Sequence, residues 1–320
     1  MAPEASGFLV GLAVFKTVEG ATSSLAGSIP VRLRSSPPGR GAAFSKPRSY
    51  ASDHMNTAEQ EWQDLLSGKH AERAAKSPFR FLPSNPRCKL CQAPFRAPGK
   101  LLLGPLGFTP WAKNPKICGR CFKEIDKHAR RCPTPTDGER VAGAEVELSM
   151  LFADVRGSSE LARQMSVVDF TKLMSRFYEV SKQVLFEADA IVEKFVGDEV
   201  VGLFLPFMTG PDHAGVALRA ARDLLLATGH GDGEPWAPLG AAVHTGVAFV
   251  GVVGSMGTSD FTALGDPMNQ TAHLASHAAV GEILVTEPAM RSAGVSMNGL
   301  EHRHLSLKGH PADAVVYPVS

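Results

Sequence analysis

The chain has 320 residues, of which 44% are hydrophobic, so a sizeable core can be buried and two domains are the default expectation. Thirty-three Lys and Arg against 32 Asp and Glu leave a net charge of +1, which removes the electrostatic case for nucleic acid or an anionic membrane as the main partner. The longest apolar runs are far too short to cross a bilayer, so the expected location is cytoplasmic, with no membrane partner.

Residues 1–54 open with a short apolar run, Phe8–Phe15, followed by a Ser-, Pro-, Gly- and Arg-rich stretch. Met1-Ala-Pro-Glu lacks the basic start of a signal peptide, while the composition leaves a transit peptide open. The stretch reads as a disordered extension, or as residues ahead of a true start at Met55. Residues 55–133 form a second unit. It begins with an amphipathic helix over Ala58–Leu66 and continues into Cys88-Lys-Leu-Cys91 and Cys118-Gly-Arg-Cys121. Each short turn presents two sulfurs to one ion, so the pair reads as a four-thiolate zinc-ribbon-like site. An iron or iron–sulfur centre would use the same sulfurs, and unligated thiols are the plain alternative. Nothing marks export, which disfavours disulfides. Cys132 is left over as a bystander. The apolar loop Leu101–Trp111 is expected to pack on the knuckles or on the following domain.

Residues 134–144, opening on Thr134-Pro135-Thr136-Asp137-Gly138, read as a linker, and 145–320 as the main domain. An apolar strand through Val146–Ala153 delivers Asp154 to its end, and Gly157-Ser158-Ser159 turns the chain into a helix whose free N–H groups suit a phosphate. Ser166 and Asp169 form a capping box for a long helix carrying Phe170, Leu173, Met174, Phe177, Val184 and Leu185 at helical spacing. Ile191–Leu205 reads as two strands joined by a tight turn at Gly197-Asp198. Strict alternation places Lys194 with Val192 and Val196, on the side of Asp198. A surface ion pair explains Lys194 and Asp198 alone. With Asp154 added, two aspartates at adjacent strand ends can hold a pair of Mg²⁺ ions on a nucleoside triphosphate. An Ala/Leu-rich helix is expected over Asp212–Thr228, strands at Leu239–Thr245, Val247–Val253, Ile283–Thr286 and Val315–Val319, and a helix opened by Pro267. On that helix Asn269 and His273, four apart, share a face. The order is βαββαβ, an α+β ferredoxin-like fold with additions.

Phe-Ala-Asp-Val-Arg-Gly-Ser-Ser (152–159), Glu-Lys-Phe-Val-Gly-Asp-Glu (193–199), His-Thr-Gly-Val-Ala (244–248) and Phe-Thr-Ala-Leu-Gly-Asp-Pro-Met-Asn (261–269) occur in the order and spacing of a known family. Together they resemble the catalytic domain of class III adenylate/guanylate cyclases over about Glu145–Val319. The resemblance implies that Asp154 and Asp198 bind two Mg²⁺ or Mn²⁺ ions. It implies that Lys194 and Thr262 read the purine edge of ATP, as in the threonine-containing adenylate branch, and that Asn269 orients the ribose. The family has arginine where this chain has His273, and histidine is charged only when protonated. Pro267-Met268 also departs from the usual small or β-branched pair. The resemblance further implies a head-to-tail homodimer, with the metal and lysine residues from one subunit and Asn269 and residue 273 from the other. Two outcomes follow: an adenylate cyclase producing 3′,5′-cyclic AMP, or a silent cyclase-homology domain that binds nucleotide or dimerises. The cysteine module would then be a dimer support, a partner surface or a redox gate.

Overall fold

The computed structural model describes residues 57–69, 77–82, 85–123, 142–231, 233–255, 258–307 and 314–319. Residues 1–54, Cys132 and the expected linker up to residue 141 therefore lie outside the described residues. The helices are α1 (Thr57–Leu66), α2 (Gly99–Leu103), α3 (Ser158–Gln164), α4 (Val167–Glu187), α5 (Pro206–Thr209), α6 (His213–Ala227), α7 (Asp266–His277) and α8 (Glu287–Ser292). The strands are β1 (Pro110–Trp111), β2 (Asn114–Cys118), β3 (Ala142–Val155), β4 (Ile191–Val196), β5 (Glu199–Phe204), β6 (Leu239–Ser255), β7 (Thr258–Leu264), β8 (Ile283–Thr286), β9 (Arg303–Leu305) and β10 (Ala314–Val319).

The main sheet runs β4-β5-β3-β6-β8-β10-β9, with β7 paired to the far end of β6. Its first four strands are mutually antiparallel and have the ferredoxin-like order, while β6 and β8 run parallel. Three expectations change. β6 is one continuous strand through Gly246, because β3 pairs with it without interruption from Ala142 to Val155. That pairing also draws 142–144, expected as linker, into the sheet. β7 and the short β1, β2 and β9 were not anticipated, since none carries a long period-2 pattern.

Alternation along β3 builds two cores. Leu151, Ala153 and Val155 face α4 and α6, with Met174, Phe177, Leu185, Ala217, Ala221 and Leu224. Leu148, Met150 and Phe152 face the other way, onto a cluster with Trp62 and Leu66 of α1, Cys88, Phe108 and Cys118 of the cysteine module, and Leu274 of α7. Each fully buried Leu, Val, Phe or Met among them contributes roughly 1.5–3 kcal/mol relative to exposure. The Ser166 cap is present: its hydroxyl accepts from Asp169 N at 3.1 Å and donates to Asp169 Oδ2 at 2.7 Å.

The module docks on α4 and on β4, the edge strand. Lys113 O accepts from Val192 N at 3.0 Å, and Asn114 Nδ2 donates to Ala190 O at 2.7 Å. Beyond the last turn of α4, Asp189 (φ 61°) puts its carboxylate where the helix dipole is negative, and Lys89 and Lys116 neutralise it. The apolar loop is only partly covered. Phe108 is buried and Trp111 stacks on Phe122 at 4.3 Å, but Leu101, Leu102 and Leu106 are exposed.

Candidate functional site

One group of side chains lies where β3 and the β4–β5 turn end, a second joins β4 to β7, and a third lies in the cysteine module. The first group is the acid pair. β3 and β5 place Asp154 directly opposite Glu199, and Val155 N donates to Asp198 O at 3.0 Å, so Asp154 and Asp198 sit at adjoining strand ends. Two left-handed glycines make this possible. Gly197 (φ 62°) closes the β4–β5 turn and Gly157 (φ 70°) starts α3. Ser158 donates its hydroxyl to Asp198 Oδ2, and Tyr178 of α4 donates to Gly197 O, pinning the turn. Burial, and then the Asp198 charge, raise the Tyr178 pKa, so it stays a neutral donor. Gly157 and Ser159 are exposed at the start of the seven-residue α3.

Arg156 ties this pair to α7. Its guanidinium donates to Asp154 Oδ2 at 3.0 Å, to Ala275 O at 2.7 Å and to Ser276 O at 2.9 Å. Those carbonyls are at the C-terminus of α7, where a cation is favoured. Asn269 and His273 share the exposed face of the same helix, as the spacing predicts.

The second group surrounds Lys194, and here the alternation fails. A bulge between Val192 and Lys194 pairs Lys194 with Val201, whereas Val192 pairs with Gly202 on the α4 side. Lys194 thus lies on the face opposite Val192, which corrects the sequence expectation. The extra residue is Glu193, buried at 4% exposure. Thr262 Oγ1 donates to Glu193 Oε1 at 2.6 Å, and Lys194 Nζ stands 3.3 Å from Glu193 Oε2. Lys113 of the module reaches the same place, donating at 2.8 Å to Glu193 O, Phe261 O and Asp260 Oδ2. Lys194 and Thr262, 68 positions apart, are thus joined through a residue that sequence reasoning passed over. The signal for Glu193 was weak: an acid inside an apolar strand run. Lys113 and Arg156 carried none beyond their charge.

In the third group the four Sγ atoms of Cys88, Cys91, Cys118 and Cys121 lie within 4.8 Å of one another. Cys88 and Cys121 are 3.9 Å apart and Cys91 and Cys118 3.7 Å. Four sulfurs about 2.3 Å from one tetrahedral ion would be separated by about 3.8 Å, so the set could hold such an ion. Cys118 N and Cys121 N also donate to Cys88 Sγ and Cys118 Sγ, which steadies thiolates there. Thiols of Cys118, Cys121 and Cys91 around Cys88 push its pKa down.

No helix among the described residues is long and apolar enough to cross a membrane. The model of the adenylate and guanylate cyclase catalytic domain matches residues 142–317, more than half of the chain. Among curated proteins, an uncharacterized Mycobacterium tuberculosis protein is 27% identical over 180 residues, covering 53% of this chain and 32% of its own length. An adenylate cyclase of Anabaena cylindrica is 24% identical over 159 residues, covering 47% of this chain and 32% of itself. The chain thus spans about a third of the length of these relatives. Among solved structures, the guanylyl cyclase Cya2 (TM-score 0.50, 23% identity, 55% of this chain and 92% of that one) shares the fold. So does the adenylyl cyclase CyaB from P. aeruginosa (TM-score 0.50, 22% identity, 56% and 96%). With the ferredoxin-like sheet and the paired aspartates in place, the chain belongs to the adenylate and guanylate cyclase catalytic domain family.

Proposed function

We propose that this protein is an adenylate cyclase that converts ATP to 3′,5′-cyclic AMP and pyrophosphate at sites shared between two copies arranged head to tail. The ribose 3′-oxygen forms a bond to the α-phosphorus, the bond to the pyrophosphate oxygen breaks, and the hydroxyl proton leaves. The observation that carries the reading is the Lys194–Glu193–Thr262 cluster on the same domain as the Asp154–Asp198 pair. Lys194 offers only donors, which suits a ring nitrogen acceptor, and Thr262 offers an oxygen for an exocyclic amine.

Asp154 and Asp198 offer hard, partly exposed oxygens at adjoining positions, a donor set that fits Mg²⁺ or Mn²⁺. Ions bound there supply charge neutralisation on the phosphates and a more acidic 3′-hydroxyl. Ser158 and Arg156 orient the two carboxylates. Asn269 would hold the ribose, and His273, when protonated, would offset charge on the α-phosphate. The Ala275 and Ser276 carbonyls gripped by Arg156 are six and seven residues past Asn269, about 9 and 10.5 Å along the helix at 1.5 Å per residue. One copy's acid pair and its own Asn269 are therefore set apart, which supports completion of each site by a second copy. The four cysteines would hold zinc as a structural ion.

Purified protein with Mn²⁺ and ATP tests the function. Cyclic AMP production that disappears in Asp198→Asn supports it. Tight ATP binding with no cyclic product would favour the silent nucleotide-binding domain instead.

A further inference from the structure

We infer that Glu193, a residue that does not itself face the substrate, sets which purine the site accepts by fixing the hydroxyl of Thr262 as an acceptor. This rests on the reading of Lys194 and Thr262 as the base-reading pair.

A threonine hydroxyl is ambiguous in water: one hydrogen to give and two lone pairs to receive. It can face the exocyclic amine of adenine as acceptor or the carbonyl of guanine as donor. Here that ambiguity is removed. Thr262 Oγ1 lies 2.6 Å from Glu193 Oε1, and a carboxylate can only accept. The competing contact from Thr262 Oγ1 to Ala263 O, at 3.4 Å, is far longer. The hydrogen is therefore spent on Glu193, and toward a ligand Thr262 has only lone pairs left. An amine donor satisfies them, whereas a carbonyl meets acceptor against acceptor.

Three features hold Glu193 in this role. Its side chain is 3% exposed, so it is buried under the pair rather than presented beside it. Lys194 Nζ, 3.3 Å from Oε2, sets a positive charge beside the carboxylate oxygen that Thr262 does not touch. Lys113 clamps the backbone on both sides, at Glu193 O on β4 and Phe261 O on β7, each at 2.8 Å. The spacing between the two strands that carry Lys194 and Thr262 is thus fixed by a residue of the cysteine module. The bulge at Glu193 supplies the geometry, because regular alternation would have turned either Glu193 or Lys194 away.

The substitution Glu193→Gln reverses the logic with almost no change in shape. Beside the Lys194 ammonium the amide must present its oxygen, which turns its NH₂ toward Thr262. The hydroxyl then receives from the amide and donates outward, to a guanine carbonyl. The probes are 3′-deoxy-ATP and 3′-deoxy-GTP with Mn²⁺, which lack the attacking hydroxyl, so binding is read independently of turnover.

The parent should prefer the adenine probe. Glu193→Gln should narrow the preference about tenfold, chiefly by gaining affinity for the guanine probe. In a Thr262→Val background, where no hydroxyl exists to be set, the same change should leave the ratio untouched. Glu193→Met, which keeps length but removes both acceptors, provides a second arm should the amide variant fold poorly, and should also narrow the ratio.

An unchanged ratio in both Glu193 variants overturns the inference. So does a shift that persists without the Thr262 hydroxyl. So does a loss of guanine affinity, which would make Glu193 a direct reader of that base. A parent that binds both probes and makes no cyclic product would defeat the cyclase reading and leave this one standing or falling on the ratio. A parent that binds neither defeats both.

Discussion

Removing the ammonium of Lys113 is the sharpest test of whether the cysteine module supports the nucleotide site. Lys113 donates three hydrogen bonds of 2.8 Å, and its side chain is 17% exposed. The contact with Asp260, itself 69% exposed, contributes only about 0–1 kcal/mol. The two carbonyl contacts matter more, because charged donors contribute roughly 1.5–3 kcal/mol each and an abandoned buried carbonyl carries its own cost. Water can reach part of this site, so the expected loss for Lys113→Met, which keeps the apolar stem, is about 2–4 kcal/mol. In a domain of this size that is a fall in Tm of roughly 5–12 °C. Asp260→Asn is the internal control and should change stability by under about 1 kcal/mol. Thermal unfolding followed by circular dichroism, together with nucleotide affinity, measures both. A Lys113→Met protein that melts within about 1 °C of the parent and keeps its purine preference would show that the clamp has no mechanical role.

Elemental analysis of protein purified without chelator should find about one zinc per chain, and Cys118→Ala should lose both the metal and several degrees of Tm; metal-free protein of unchanged stability rejects the site. Mixing the separately inactive Asp198→Asn and Asn269→Ala proteins should restore roughly a quarter of parental turnover, since half the dimers would carry one intact site of two; no recovery after subunit exchange argues against a shared site. His273→Arg should raise turnover by about ten- to a thousandfold if a fixed positive charge is what the site lacks, and an unchanged rate would exclude residue 273 from charge neutralisation. Burial lowers the pKa of His213, with Glu147 and Asp212 opposing, and its Nδ1 meets Ser149 Oγ at 2.9 Å. As pH falls through about 6.5 the unfolded chain takes up a proton that the folded one resists, so stability is lost from there downward. His213→Gln should flatten the difference in urea midpoint between about pH 7.5 and 5.5, and an equal slope in both proteins would contradict this.

What could be read from the sequence was whatever is encoded locally. The Asp154 strand end, the Gly197-Asp198 turn, the Ser166 cap and the Asn269/His273 face each depend on residues within a few positions of one another. The cysteine cluster was legible because two Cys-x-x-Cys turns carry their geometry in their spacing. What stayed hidden depends on long-range pairing. β6 runs through Gly246 because β3 lies beside it, not because of its own pattern. The bulge at Glu193 exists because β5 pairs on both sides of it out of step, and a period-2 reading has no place for an extra residue. Arg156 and Lys113 act on backbone carbonyls 119 and 80 or more positions away, contacts that leave no trace in composition. Leu101, Leu102 and Leu106 were expected to be covered, and their exposure shows that an apolar run does not by itself identify what meets it.

The position of the module follows from a problem the sheet has to solve. β4 is an edge strand, and its outward N–H and C=O groups would otherwise invite another strand. Val192 N and Ala190 O are instead taken by Lys113 and Asn114, so the first half of the edge is closed by the β1–β2 hairpin. The second half, from Lys194 onward, has to stay open if Lys194 is to meet a ligand. The bulge falls at this boundary. It turns Glu193 inward to Thr262 and Lys194 outward, and Lys113 grips the Glu193 carbonyl at the same point. The contact that ends the cover on the edge strand is therefore the one that fixes the floor beneath Lys194 and Thr262. This gives a physical reason for a small cysteine-rich unit to pack against this particular strand of a cyclase domain.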